Sequence, residues 1–239
     1  MVNHDSKIFF VIVAAGSGSR FGSDIPKQFL PLAGRPVLLH AIETVEKVLP
    51  QAQIILVLSA QGKEYWSDIA RRYSYPSPLI ALGGDTRTES VRNALEVCRN
   101  LGCSDSDIIM VHDGARPLLS EDLLMRMLRA MNSSKAAIPV VPLTDSIIEL
   151  DAVGLARPAD RNRFRAVQTP QAFNAALLID AYAKAENDTR TFTDDASVVE
   201  AYTGQGITTV QGDTSNIKIT NPNDIRIAEL LIQSTDKNP

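Results

Sequence analysis

An unbroken apolar run, IFFVIVAA from Ile8 to Ala15, ends in Gly16-Ser17-Gly18-Ser19-Arg20, and Lys27 follows behind Pro26. Ile, Val and Phe without polar alternation predict a strand buried on both faces, which belongs inside a parallel sheet covered by helices. Gly16 and Gly18 directly behind it let the chain turn sharply and bring backbone N–H groups close to a ligand. Arg20 and Lys27 add two cations at the same loop, and backbone donors with two cations suit a polyphosphate. A tight strand–loop connection with solvated cations would explain a Gly-x-Gly alone; AAGSGSR with PKQ close behind favours phosphate binding. The dinucleotide fingerprint is excluded because Phe21 stands where its third glycine belongs. The Walker loop is excluded because no Gly-Lys-Ser/Thr follows.

Downstream, helical and strand patterns alternate. Arg35-Pro36 is expected to start a helix whose Val37, Leu38, Ala41, Ile42, Val45 and Val48 share a face, ending at Pro50. Strands are predicted over 54–58, 79–82, 107–111, 136–141, 165–169 and 207–210. Helices are predicted over 64–72, 86–99, 120–131, 174–186, 194–201 and 223–232, with 217–220 extended. Ser146 to Arg163 differs: Ile147, Ile148, Leu150 and Val153 lie among polar residues around an Asp151–Gly154 turn, which reads as a projecting hairpin. The expected fold is α/β, a mostly parallel sheet with helices on both faces, as one domain over 1–239 with an arm at about 144–164. No linker, repeat or composition break divides it. The loops at Gly16, Gly83-Gly84 and Asp113 each follow a strand and can converge beyond the carboxyl ends of the sheet.

A chain of 239 residues with 44% hydrophobic and 22% charged residues can bury a sizeable core. A formal net charge of −4 argues against a broad nucleic-acid surface but leaves room for local cationic loops that take a small anion. Cys98 and Cys103 are the two cysteines, too few for a four-ligand metal site; inert thiols are the favoured reading, a redox pair the other. MVNHDSK before the first apolar run lacks the charge of a signal peptide, and no run is long enough to span a bilayer, so a cytoplasmic protein is expected.

Asp113, inside HDGARP at a strand end, could hold Mg²⁺ with phosphate oxygens and water, or could simply form the turn before Gly114; on residue type alone the two are about even. Arg116 could bind a phosphate or make a surface ion pair. GGDTRTES could place its backbone and Ser90 against a flat base, although a plain loop–helix junction explains it equally well. His4, His40 and His112 show no ligand or catalytic spacing; His40 reads as structural and His112 as packed or bonded beside Asp113. With no Gly-x-Ser-x-Gly and no Cys–His pair, covalent catalysis is disfavoured.

AAGSGSRFG, PKQF, GGDTRTESV, VHDGARP, DRNRF, QTPQAF, FTDDAS and NIKIT occur in this order across nearly the whole chain. Together they resemble the 2-C-methyl-D-erythritol 4-phosphate cytidylyltransferase family of the non-mevalonate isoprenoid pathway. The resemblance implies a Rossmann-like nucleotidyltransferase, dimeric through its arm, that uses CTP and Mg²⁺ and releases pyrophosphate. It implies that Ala14, Ala15, Gly16 and Gly18 line the CTP phosphates and ribose, with Ala115 by the ribose. Gly84, Asp85 and Ser90 would read the cytosine, and Asp113 would hold the metal. Arg20 and Lys27 would stabilise the transition state. Arg116, Thr169, Thr193 and the arm residue Ser146 would face the sugar phosphate. Arg161, reaching across the dimer, and Lys218 would position its phosphate.

Two departures stand out. Asp145-Ser146 replaces an Asp-Thr frequent in the family, and Arg165 stands where an aromatic is frequent. A ribitol-5-phosphate cytidylyltransferase shares the scaffold and is the nearest alternative acceptor class. A non-catalytic CTP-binding regulator would be expected to lack Arg20, Lys27 or Asp113, and all three are present.

Overall fold

A computed structural model describes residues 6–16, 21, 25–75 and 78–236. Its main sheet is built around β1 (Ile8–Val13). On one side of β1 lie β4 (Gln53–Leu58) and β5 (Leu79–Leu82); on the other lies β6 (Ile108–Asp113), all parallel. Beyond β6 follow β11 (Gln171–Asn174), β7 (Ala136–Pro142) and β10 (Arg165–Val167), antiparallel in turn, while β12 (Thr208–Gln211) pairs parallel with β7. The mostly parallel sheet expected from the sequence is therefore present. Strand order reverses at β1, so a crevice opens beyond the carboxyl ends of β1 and β6.

The apolar run at the start behaves as its composition requires. Phe9, Phe10, Val11 and Ile12 are all fully buried, with alternate residues serving opposite faces. Phe9 and Val11 pack with α3 (Arg87–Asn100), α5 (Ala175–Lys184) and α6 (Asp195–Thr203). Phe10 and Ile12 pack with α1 (Val37–Val48), α2 (Ala60–Arg72) and α4 (Glu121–Met131). A last helix, α7 (Pro222–Asp236), joins a smaller cluster of Leu32, Val37, Ile219 and Ala228. Caps set several starts: Thr86, Ser120 and Asn174 accept from backbone N–H groups of α3, α4 and α5.

Several boundaries depart from the sequence expectation. Arg35–Pro36 does not start a helix: it is β3, paired with β2 (Pro31–Leu32), and helix α1 begins one residue later with Pro36 as its extended cap. Helix α2 starts a turn earlier than expected, at Ala60, because Ser59 caps it by accepting from the Gly62 N–H at 3.0 Å. The strand expected over 165–169 stops at Val167, and β11 follows it as a separate strand whose four residues gave no pattern of their own. The stretch 217–220 is not a strand, although Ile219 N donates to Ala115 O at 2.8 Å. β8 (Ile147–Leu150) and β9 (Ala156–Ala159) form a hairpin outside the main sheet, turned by Gly154 at φ +83°. No helix among the described residues is long and apolar enough to cross a membrane.

Candidate active site

The carboxyl ends of the parallel strands are tied level by backbone bonds. Ala14 N donates to Val57 O, Gly83 N to Leu58 O and Gly114 N to Val13 O, each at 2.9 Å. The loops that follow touch. A Cβ on Gly83 would sit 2.2 Å from the Ala15 Cβ, and one on Gly114 would sit 2.9 Å from the Ala14 Cβ, so only glycine lets these backbones meet. Between them opens a cavity of about 440 Å³, lined in part by Ala14, Ala15, Gly16, Lys27, Gly84, Asp85, Ser90, Asp113, Ala115 and Lys218. All of these were singled out in the sequence. Gly18 and Arg20 lie outside the described residues, as does His4.

Three side chains shape the loops. Gln28, buried in the short turn Lys27–Phe29, donates its Nε2 to Ala14 O at 2.7 Å and to Gly16 O at 3.1 Å, which pins the first loop onto the site floor. Ser90 Oγ accepts from Gly84 N at 3.0 Å and Glu89 Oε2 from Asp85 N at 2.7 Å, which curls the second loop over the start of α3. Gln28 and Glu89 escaped the sequence reading, since neither residue type signals a bond back to a loop.

Asp113 sits at the end of β6 with three cations around it. Lys218 Nζ lies 2.8 Å and Arg116 Nε 3.5 Å from Oδ2, and Arg87 Nε lies 3.9 Å from Oδ1. Burial alone would raise this carboxyl, but Lys218, Arg87 and Arg116 outweigh it and hold it far below the ordinary carboxylate range. Arg116 also donates Nη1 to Asn216 O at 2.8 Å, while its buried Nε–H has no hydrogen-bond acceptor. Behind Asp113, Thr169 Oγ1 accepts from Asp113 N at 3.0 Å and lies 2.9 Å from His112 Nδ1; His112 Nε2 faces Arg116 O at 3.1 Å. A neutral ring that donates to Arg116 O and accepts from the threonine hydroxyl satisfies every partner. Burial holds His112 in that form, lowering it to about 4.

Other residues singled out in the sequence stand away from the cavity. Thr169 is buried, its hydroxyl set between Asp113 N and His112 Nδ1. Arg161 is exposed at the end of the hairpin and donates to Thr144 O; Ser146 and Thr193 are also exposed. Asp213, given no role from the sequence, does not line the cavity either: its Oδ1 accepts from Ser215 N at 2.9 Å and Ser215 Oγ at 2.6 Å. His40 Nε2 bonds Leu32 O, a structural contact. Arg87, which lines the cavity and meets Asp113, was missed although it lies inside GGDTRTES.

Among the described residues no cluster of three or more His, Cys, Asp or Glu could hold a metal. Asp113 offers hard oxygen donors from a single ionised carboxylate. Such a donor fits a Mg²⁺ that takes its remaining ligands from phosphate oxygens and water.

Residues 8–234 match the family described as IspD, 2-C-methyl-D-erythritol 4-phosphate cytidylyltransferase. A protein of that name from Phocaeicola vulgatus is 42% identical over 223 residues, 93% of this chain and 98% of its own. One from Porphyromonas gingivalis is 38% identical over 232 residues, 96% of this chain and all of its own. The crystal structure of 4-diphosphocytidyl-2C-methyl-D-erythritol synthase from Anaerococcus prevotii superposes with a TM-score of 0.79 at 29% identity, covering 95% of this chain and 99% of that one. The Thermus thermophilus 2-C-methyl-D-erythritol 4-phosphate cytidylyltransferase does so with a TM-score of 0.74 at 31% identity. With the strand-end loops and the Asp113 cluster already in place, these likenesses over nearly the full length show that the chain belongs to the 2-C-methyl-D-erythritol 4-phosphate cytidylyltransferase family of the non-mevalonate isoprenoid pathway.

Proposed function

We propose that the cavity beyond β1, β5 and β6 binds CTP and that the family reaction takes place at its Asp113 end. The reaction transfers CMP from CTP to 2-C-methyl-D-erythritol 4-phosphate, giving 4-diphosphocytidyl-2-C-methyl-D-erythritol and pyrophosphate. The observation that carries the site reading is the meeting of the Gly16, Gly84 and Asp113 loops around one cavity with Lys27 and Lys218 on its wall. Gly84, Asp85 and Ser90 take the cytosine; Ala14, Ala15, Gly16 and Gly18 take the phosphates and ribose, with Ala115 by the ribose. Asp113 would hold Mg²⁺, which when bound draws the triphosphate oxygens together and offsets their charge.

The sugar phosphate approaches from the side of Arg116, Lys218 and Thr193. Arg116, ion-paired with Asp113, adds positive charge at that end of the site, which draws an anionic substrate. A phosphate oxygen of this substrate forms a new bond to the α-phosphorus of CTP as the bond from that phosphorus to the pyrophosphate oxygen breaks. A phosphate monoester is already ionised near neutral pH, its second pKa being about 6, so no general base is required. Repulsion between two anions and their orientation are the obstacles. Lys27 and Arg20 stabilise the charge that grows on the equatorial and leaving oxygens, and Lys218 with Arg161 orients the attacking phosphate.

Arg161 and Ser146 stand on the hairpin over 144–164, an arm of the single nucleotidyltransferase domain, so they serve a site completed in a homodimer. Thr169 faces the sugar phosphate in this reading, and its hydroxyl also holds Asp113 N at 3.0 Å. No membrane or nucleic acid takes part, and the protein works in the cytoplasm.

The acceptor test is direct. Pure protein is incubated with CTP, Mg²⁺ and either 2-C-methyl-D-erythritol 4-phosphate or ribitol 5-phosphate, and pyrophosphate is measured. Release is expected with the first and not the second; the reverse would move the chain to the ribitol class. Tight CTP binding without pyrophosphate from either would mark a non-catalytic regulator.

A further inference from the structure

Arg87 and Asp195 have no role in the reading above, yet together they join three parts of the site. We propose that Arg87, gripped by Asp195, is a positioning residue of the transfer: it sets the spacing between the base-reading loop, Asp113 and the segment that carries Thr193. The inference rests on the assignment of the cavity as the nucleotide site.

Arg87 is the first residue of α3, directly behind Gly84-Asp85-Thr86. Its guanidinium donates to Asp195 through two bonds, Nη1 to Oδ1 at 3.0 Å and Nη2 to Oδ2 at 2.7 Å. Asp195 is the first residue of α6, fully buried, two residues after Thr193. It cannot follow Arg87 elsewhere. The Tyr182 hydroxyl of α5 donates to its Oδ1 at 2.6 Å. Gln171 of β11 accepts from Asp195 N at 3.1 Å and Ala196 N at 2.9 Å while donating to Asp194 Oδ2 at 2.8 Å. With Nη1 and Nη2 engaged in this way, the Nε edge of Arg87 faces Asp113 Oδ1 at 3.9 Å, on the wall of the cavity.

A buried, bidentate Arg–Asp pair adds little net stability over apolar side chains of the same volume; what it supplies is one arrangement in place of several. Here that arrangement is the alignment of two helix starts that carry opposite halves of the site. In-line transfer depends steeply on alignment, and a displacement of about 1 Å can cost on the order of a hundredfold in rate. The clamp therefore acts on turnover more than on the binding of either substrate.

The test uses Arg87→Lys, which keeps the charge but loses the fork, Asp195→Asn, and Tyr182→Phe, which removes only the hydroxyl that orients Asp195. Each is assayed well below its melting transition for kcat, for KM of both substrates and for equilibrium CTP binding, with Asp113→Ala alongside. The clamp predicts that kcat falls roughly ten- to a hundredfold in Arg87→Lys and Asp195→Asn, and about threefold in Tyr182→Phe, with both KM values and CTP binding changed less than about threefold. Wild-type kcat in folded Arg87→Lys, or a loss confined to CTP affinity, overturns it. If the two charge variants do not fold, Tyr182→Phe decides, and unchanged kcat there overturns the clamp. Normal turnover in Asp113→Ala would instead sink the site assignment itself.

Discussion

Lys27 lines the cavity beside Gly16, where the triphosphate is proposed to bind, and shows how far a single residue can be read. A cation that meets charge developed in the transition state contributes mainly to kcat. Lys27→Ala is expected to lower kcat on the order of a hundredfold, about 3 kcal/mol of barrier, while KM for CTP rises much less. Steady-state kinetics with CTP varied at saturating sugar phosphate checks it, and near-normal kcat would remove Lys27 from the transition state. Its place was legible because Pro26-Lys27-Gln28 closely follows a glycine loop. Asp113 was legible for a similar reason, being a carboxylate at the end of an apolar strand before Gly114. Lys218 reached the site only through the family resemblance, since nothing local to NIKIT says that Ile219 N bonds Ala115 O and brings the ammonium to Asp113. Arg87 gave no signal because its partner lies 108 residues away, and a lone arginine at a helix start is most simply a solvated one.

Helix α3 connects this chemistry to a different environment at its far end. It begins with Arg87 and Ser90 at the cavity and, about three turns on, places Cys98 in the core; the chain just past it carries Cys103. Burial pushes the Cys98 thiol up to about 12 and Cys103, less buried, up to about 11. At pH 8 a thiol near 11 is about 0.1% thiolate, against roughly a quarter for an ordinary cysteine near 8.5. Native protein at pH 8 is expected to react with iodoacetamide on the order of a hundredfold slower than free cysteine, with the protection lost in urea. The Cys103 rate should climb only as pH approaches 11; an ordinary rate at pH 8 would refute the raised thiol and reopen the redox-pair reading. At this scale α1, α3 and α4 were legible from period and caps, since each has a long apolar stripe. The short strand β11 was not: Gln171–Asn174 is polar at both ends, and only its place between β6 and β7 makes it a strand. The helix start expected at Arg35 moved for a related reason, because Pro36 suits either an extended cap or a first helical residue, and pairing with Pro31 settles which.

Among the described residues, the hairpin carries an apolar surface without cover. Leu150 on β8 and Val153 and Leu155 in the hairpin turn are 63%, 81% and 66% exposed, with Ile148 on the same strand. Burying a leucine stabilises by about 1.5–3 kcal/mol, so several together on one hairpin form a face suited to a second copy of the chain. The same hairpin ends at Arg161, which stands outside the cavity of its own chain although its proposed task is to orient the sugar phosphate. Both facts are met if two hairpins pack together and each delivers its Arg161 to the partner's site. Replacing Leu150 and Leu155 together by Glu puts charges on that face without touching the cavity. Sedimentation should then show a monomer, against the dimer expected of the unmodified protein. KM for the sugar phosphate should rise roughly tenfold or more, the same rise expected for Arg161→Ala, while CTP binding stays intact, because the described residues proposed to hold CTP come from one chain. A fully active monomer would show that Arg161 does not act across an interface. A variant that stays dimeric with unchanged kinetics would place the interface elsewhere. A monomer that lost CTP binding as well would mean that the hairpin supports the β6–β7 end of the sheet, through the Pro142 connection, rather than the second substrate.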